Sequence, residues 1–156
     1  MRKTRILQED ATYHVTSKIN WEKHIFNPDE IKQLFLDTIK RAKKKYKFSL
    51  KNFVIMGNHF HFLIKPGKNE SLSKIMQWIL SVFAMTYNKM HKLKGHLFSG
   101  RFWSKVIEHY RQLIDTFNYI SENPVRALLV EIAEKYKYGG LYHIKNNIDM
   151  KTFCNH

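Results

Sequence analysis

The stretch Val54-Ile55-Met56-Gly57-Asn58-His59-Phe60-His61-Phe62-Leu63-Ile64 carries two patterns at once. Gly57-Asn58 is a turn signal between two runs of β-branched and aromatic residues, so the segment reads as two strands joined by a tight turn. In the second run the side chains alternate between faces. His59, His61 and Leu63 share one face, while Phe60, Phe62 and Ile64 share the other and are suited to a core. Two imidazoles side by side on a stiff strand offer a two-point grip on a divalent metal. A chain with 9 histidines in 156 residues also forms such pairs by chance, and solvent-facing histidines are the plain alternative.

Elements extend outward from this hairpin. Residues 12–19 are rich in strand formers. Asn27-Pro28-Asp29-Glu30 reads as a helix start, with Asn27 as cap and Pro28 in the first helical position. Ile31, Leu34, Phe35, Thr38, Ile39 and Ala42 then recur at helical spacing, and Lys43, Lys44, Lys45 and Lys47 close the helix where its dipole is negative. Strands are expected over residues 48–56 and 59–65. Ser71 caps a helix running to about His91 with Leu72, Ile75, Met76, Ile79, Leu80, Phe83 and Tyr87 inward. Val106 and Ile107 belong to a fourth strand, residues 109–122 form a helix, and Asn123-Pro124 signals the cap of another over residues 125–134. The polar, aromatic tail from Lys135 receives no assignment. The order strand, helix, strand, strand, helix, strand, helix predicts an α+β fold: a ferredoxin-like split βαβ sandwich, a central antiparallel sheet with helices packed on one face. One domain over residues 1–156, with its core at about residues 11–134, is sufficient for this length.

Charge narrows the function. The net charge is +14, from 27 Lys and Arg against 13 Asp and Glu. Such an excess favours a polyanionic partner, nucleic acid first and an anionic membrane surface second. A membrane binder would need a basic amphipathic helix or a lipid anchor, and no apolar run approaches the roughly 20 residues of a membrane span. The first ten residues lack a signal-peptide core, and the single cysteine, Cys154, permits no internal disulfide. These features predict a soluble cytoplasmic protein. Residues 92–104 interleave basic and aromatic side chains between glycines. Arg101, Lys105 and Arg126 are candidate phosphate contacts, and Phe98, Phe102 and Trp103 are candidates for stacking on unpaired bases, with core packing the alternative for each ring.

Tyr119 and Asn123 are four residues apart and share a face of a continuous helix. A phenol is a weak nucleophile until activated. Asn123 also suits a helix cap before Pro124, and a cap and a metal ligand would use the same side-chain oxygen.

Four stretches together carry a family resemblance: Tyr13-His14-Val15-Thr16-Ser17, Met56-Gly57-Asn58-His59-Phe60-His61-Phe62-Leu63-Ile64, Gly95-His96-Leu97-Phe98-Ser99-Gly100-Arg101-Phe102, and Tyr119-Ile120-Ser121-Glu122-Asn123-Pro124-Val125-Arg126-Ala127. In this order and spacing the chain resembles the single-tyrosine HUH transposases, and most closely the REP-associated tyrosine transposases. The resemblance implies Mg²⁺ or Mn²⁺ held by His59 and His61 with Asn123 as third ligand, and Tyr119 as nucleophile on single-stranded DNA carrying hairpins. It implies a 5′-phosphotyrosine intermediate and rejoining without an external energy source. It leaves both a homodimer and a monomer open. The chain departs from the REP-associated pattern near its end, where Tyr138-Gly139-Gly140-Leu141-Tyr142 stands in place of Trp-Ser-Ser. Two rival expectations remain: a catalytically silent DNA-hairpin binder, and a metal-dependent hydrolase that uses water.

Overall fold

A computed structural model describes residue 8 and residues 10–148; Cys154 and the first seven residues lie outside the described residues. The expected hairpin forms. β2 (Phe48–Ile55) turns at residues 56–58 into β3 (His59–Pro66). Gly57 is required there by close approach: a Cβ would collide with Asn27 Oδ1 and crowd His24 Nδ1. β1 (Tyr13–Lys18) pairs with the far side of β3, and β4 (Trp103–Val106) pairs with β1. The sheet runs β2-β3-β1-β4, with every pair antiparallel. This is the ferredoxin-like α+β plan expected from the element order.

The two crossover helices, α1 (Asp29–Lys45) and α2 (Leu72–His91), cover the face that carries Phe60 and Phe62. Phe35 of α1 lies 5.0 Å from Phe60 and 5.0 Å from Phe83 of α2 between ring centroids, and these rings are fully buried. Burial of such rings is the main stabilising term of the fold. Ser71 caps α2 as expected, accepting from the Lys74 amide at 3.3 Å. Asn27 does not cap α1. The cap position falls on Pro28, and Asn27 instead turns its amide to the β2–β3 turn while its carbonyl accepts from Lys32 Nζ at 2.7 Å.

Against the expectation of helices on one face only, the opposite sheet face receives α3 (Tyr110–Arg126), which packs there through Ile120, Ser121 and Pro124 and is capped by His109, whose Nδ1 accepts from the Gln112 amide. Here the proline signal fails. Asn123-Pro124 opens no new helix; both residues lie inside α3, which runs on to Arg126, and only a short 3-10 turn at Ala133–Lys135 follows within the stretch expected as a separate helix. Pro124 is buried with Ile120 and Ser121, so packing onto the sheet outweighs the local preference of a pre-proline residue. The helix stops two residues later in a Schellman pattern. Leu129 N donates to Pro124 O, Leu128 N donates to Val125 O, and Leu128 sits in the left-handed region at φ 61°.

Asn52 ties α3 to β2. It is fully buried, and its Nδ2 donates to Phe117 O at 3.0 Å and to Ser121 Oγ at 2.9 Å, the two positions that bracket Tyr119. The register shift between Leu50 and Asn52 turns this side chain toward α3. The unassigned tail folds along the outer edge of β2. Tyr136 Oη donates to Ile55 O at 2.6 Å, Tyr138 O accepts from Ile55 N at 3.0 Å, and a six-residue α4 (Gly140–Lys145) follows. A Cβ at Gly140 would collide with Asn52 Oδ1, which explains a glycine at that position of the tail. Among the described residues no helix is long and apolar enough to cross a membrane.

Candidate active site

Strand alternation places the site. On β3, His59 and His61 point to the α3 face. Cross-strand pairing brings Thr16 opposite His61, Lys18 opposite His59, and His14 opposite Leu63. β4 adds Lys105 opposite His14 and Trp103 opposite Thr16. Side chains paired across strands share a face, so this face holds three histidines and two lysines.

The rings converge. His59 and His61 are 5.1 Å apart between centroids, and His14 and His61 are also 5.1 Å apart. Tyr119 descends from α3 to within 5.6 Å of His61 and 6.1 Å of His14. The residue is 48 % exposed. Arg126 crosses Tyr119: its guanidinium carbon lies 4.5 Å from the ring centroid, and Nη2 donates to the Tyr119 carbonyl at 2.9 Å.

The imidazoles are held neutral. Burial holds His61 far below the ordinary imidazole value, at about 3, and the neighbouring His14, His59 and Arg126 add to this. Burial and then Lys105 hold His14 at about 4. His59 is lowered by burial, then by Lys18 and His24. Neutral imidazole is the form that binds metals. His59 Nδ1 lies 2.8 Å from Asn58 Oδ1, an acceptor, so this nitrogen carries the proton and Nε2 keeps its lone pair. His61 Nδ1 is engaged by His14 Nε2 at 2.9 Å. Among the described residues no three His, Cys, Asp or Glu side chains assemble as a metal set. Asn123 stands one turn beyond Tyr119 inside α3, partly exposed. Its place within the helix removes the competing cap role.

Of the residues singled out in the sequence, Tyr119, His61, His59, Lys105 and Arg126 gather at this face. Phe102 does not serve as a stacking ring: at 7 % exposure it is part of the core, as is Phe98, whose ring lies 6.1 Å from Phe83 of α2. Trp103, the next residue, is 49 % exposed and stands 5.2 Å from His14, edge to face. Arg101 is exposed in the same loop, before β4. His14 and Lys18 were missed. Their signal lay in the alternation of Tyr13-His14-Val15-Thr16, in which Tyr13 and Val15 are buried, but the strand register that brings them to the pair is tertiary.

The family described as "Transposase IS200 like" matches residues 8–123. Two solved structures share the fold. A REP-associated tyrosine transposase bound to a REP hairpin superposes with a TM-score of 0.80 at 16% identity, covering 100% of this chain and 92% of that one. A candidate transposase from Deinococcus radiodurans R1 gives a TM-score of 0.53 at 16% identity, covering 76% of this chain and 96% of that one. No curated protein matches.

Proposed function

Because the chain belongs to the IS200-like transposase family, we propose that it cleaves and rejoins single-stranded DNA beside hairpins, as one domain and with Tyr119 as nucleophile. The observation that carries this reading is the convergence of the Tyr119 phenol with His61 and His14, at 5.6 and 6.1 Å, within one chain. The relative bound to a REP hairpin supports the choice of substrate. We read the site as assembled in cis, with the phenol and the imidazoles of one chain acting together. A DNA substrate and the absence of membrane-length helices among the described residues fit action in the cytoplasm.

Lys18, Lys105 and Arg126 each press electrostatically on a different histidine of the site and so stand around it. They bind the phosphates on either side of the scissile linkage, and Arg101 extends the track. Trp103 offers a face for an unpaired base. Arg126 also holds Tyr119 by stacking and by its hydrogen bond, which fixes the phenol for attack. The phenol oxygen attacks phosphorus and the bond to the 3′ oxygen breaks. The phenol loses its proton, and the departing strand leaves as a 3′-hydroxyl with the 5′-phosphate on Tyr119. Attack by another 3′-hydroxyl reverses the step and seals a new junction. His59, His61 and Asn123 are the residues that would hold Mg²⁺ or Mn²⁺; what such an ion supplies when bound is polarisation of a phosphate oxygen and charge neutralisation at the leaving group.

Replacing Tyr119 with Phe tests the reading on a labelled single strand with a hairpin. The expected result is loss of the covalent protein–DNA band on a denaturing gel, with hairpin affinity within about threefold of wild type, since one hydroxyl contributes little to a phosphate-dominated interface. Cleavage at the wild-type rate by Tyr119→Phe would overturn the assignment. Hairpin binding by wild type without any cleavage in Mg²⁺ or Mn²⁺ would favour the silent binder.

A further inference from the structure

His61 is a buried histidine with one ring nitrogen engaged by a second imidazole. Its Nδ1 lies 2.9 Å from His14 Nε2. Two lone pairs cannot face each other at that distance, so one proton sits between the rings. If His14 donates it, the proton of neutral His61 is on Nε2, and that nitrogen cannot bind a cation. If His61 donates it, Nε2 of His61 is left with a free lone pair. His14 is itself held on both sides, by Trp103 at 5.2 Å and by Tyr119 at 6.1 Å, and its strand position opposite Leu63 is fixed by the β1–β3 ladder.

We propose that His14 is a positioning residue: it accepts the Nδ1 proton of His61 and thereby presents His61 Nε2 to the cation. This rests on the proposed metal site at His59 and His61. It makes the two histidines of the pair equivalent in design, since Asn58 does for His59 what His14 does for His61. An outer hydrogen-bond partner of this kind changes metal affinity by about 10–100-fold.

The test measures Mn²⁺ binding to the full chain by calorimetry, without DNA, for wild type, His59→Ala, His14→Ala and His14→Gln. His14→Ala is expected to weaken Mn²⁺ binding by about tenfold or more while metal-free hairpin affinity stays near wild type. Gln can accept the same proton, so His14→Gln should recover most of the loss. Weakened binding by His59→Ala together with wild-type affinity of His14→Ala sinks the positioning role alone. Wild-type affinity in both alanine variants sinks the metal site and the positioning role with it. Nitrogen-15 spectra of the imidazoles in metal-free wild type give a check that needs no variant to fold: His61 should carry its proton on Nδ1. A proton on Nε2 of His61, or three imidazole nitrogens on bound Mn²⁺ by pulsed electron paramagnetic resonance, would overturn the proposal.

Discussion

His61 shows how a single side chain couples burial to chemistry. It faces a site yet is only 7 % exposed, and with His14 it is neutral in the folded chain. In the unfolded chain both imidazoles take up protons near pH 6.5. The folded values are depressed to about 3 for His61 and about 4 for His14, so stability is full above pH 6.5 and is lost as pH falls toward those values. Each imidazole contributes a slope of at most about 1.4 kcal/mol per pH unit in that window. The metal-free protein is therefore expected to melt at a lower temperature at pH 5 than at pH 7.5, and His14→Gln should flatten the difference. A calorimetric series across that range measures it, and a melting temperature that rises toward pH 5 would contradict the assignment. Leu128 illustrates a different residue-scale effect. It is 91 % exposed and holds a left-handed conformation at the end of α3, where a side chain is a cost and glycine is not. Leu128→Gly should stabilise the protein by about 0.5–1 kcal/mol in urea denaturation.

At the scale of elements, α3 is the part of the molecule that converts fold into site. The Asn52 amide is bonded on either side of Tyr119 along the helix, to Phe117 O and to Ser121 Oγ, and its own Oδ1 accepts from Phe53 N. Asn52→Ala would remove three hydrogen bonds from a buried site and open a small cavity. The expected loss is about 2–4 kcal/mol in denaturant unfolding. Adduct formation should fall more than hairpin affinity, because the phenol loses its reference to the histidines while the basic face is unchanged. Equal losses in both would mean that Asn52 serves stability alone. The same helix shows the limit of local signals. Hydrophobic periodicity and the Ser71 cap located α1 and α2 well, because each has one apolar stripe turned to the core. Asn123-Pro124 misled because capping chemistry is local, whereas Pro124 is held in the helix by burial against the sheet. The tail was unreadable for a related reason: Tyr136 and Tyr138 are ordinary aromatic residues until the open edge of β2 gives them backbone groups to bond.

For the whole molecule, the charge of +14 sets the behaviour of any complex with DNA. If Lys18, Lys105 and Arg126 each neutralise one phosphate of a single strand, the logarithm of the binding constant should fall with the logarithm of salt at a slope of about −2 or steeper. Lys105→Ala should reduce that slope by about 0.7 without changing which hairpin is preferred. Fluorescence anisotropy between 50 and 300 mM salt would show it, and a slope near zero would remove nucleic acid as the partner. The sequence alone determined the βαββαβ order, the shared face of the histidine pair and the basic character of the chain, because alternation, helical spacing and composition are properties of consecutive residues, and its four motifs in order carried the family resemblance. Only the tertiary structure decided that His14 and Lys18 join that pair, that Phe102 turns inward while Trp103 stays out, and that α3 runs unbroken past Pro124 to hold Tyr119 over its own sheet. Those outcomes depend on strand register and on which surfaces meet, and neither is written in any short stretch of chain.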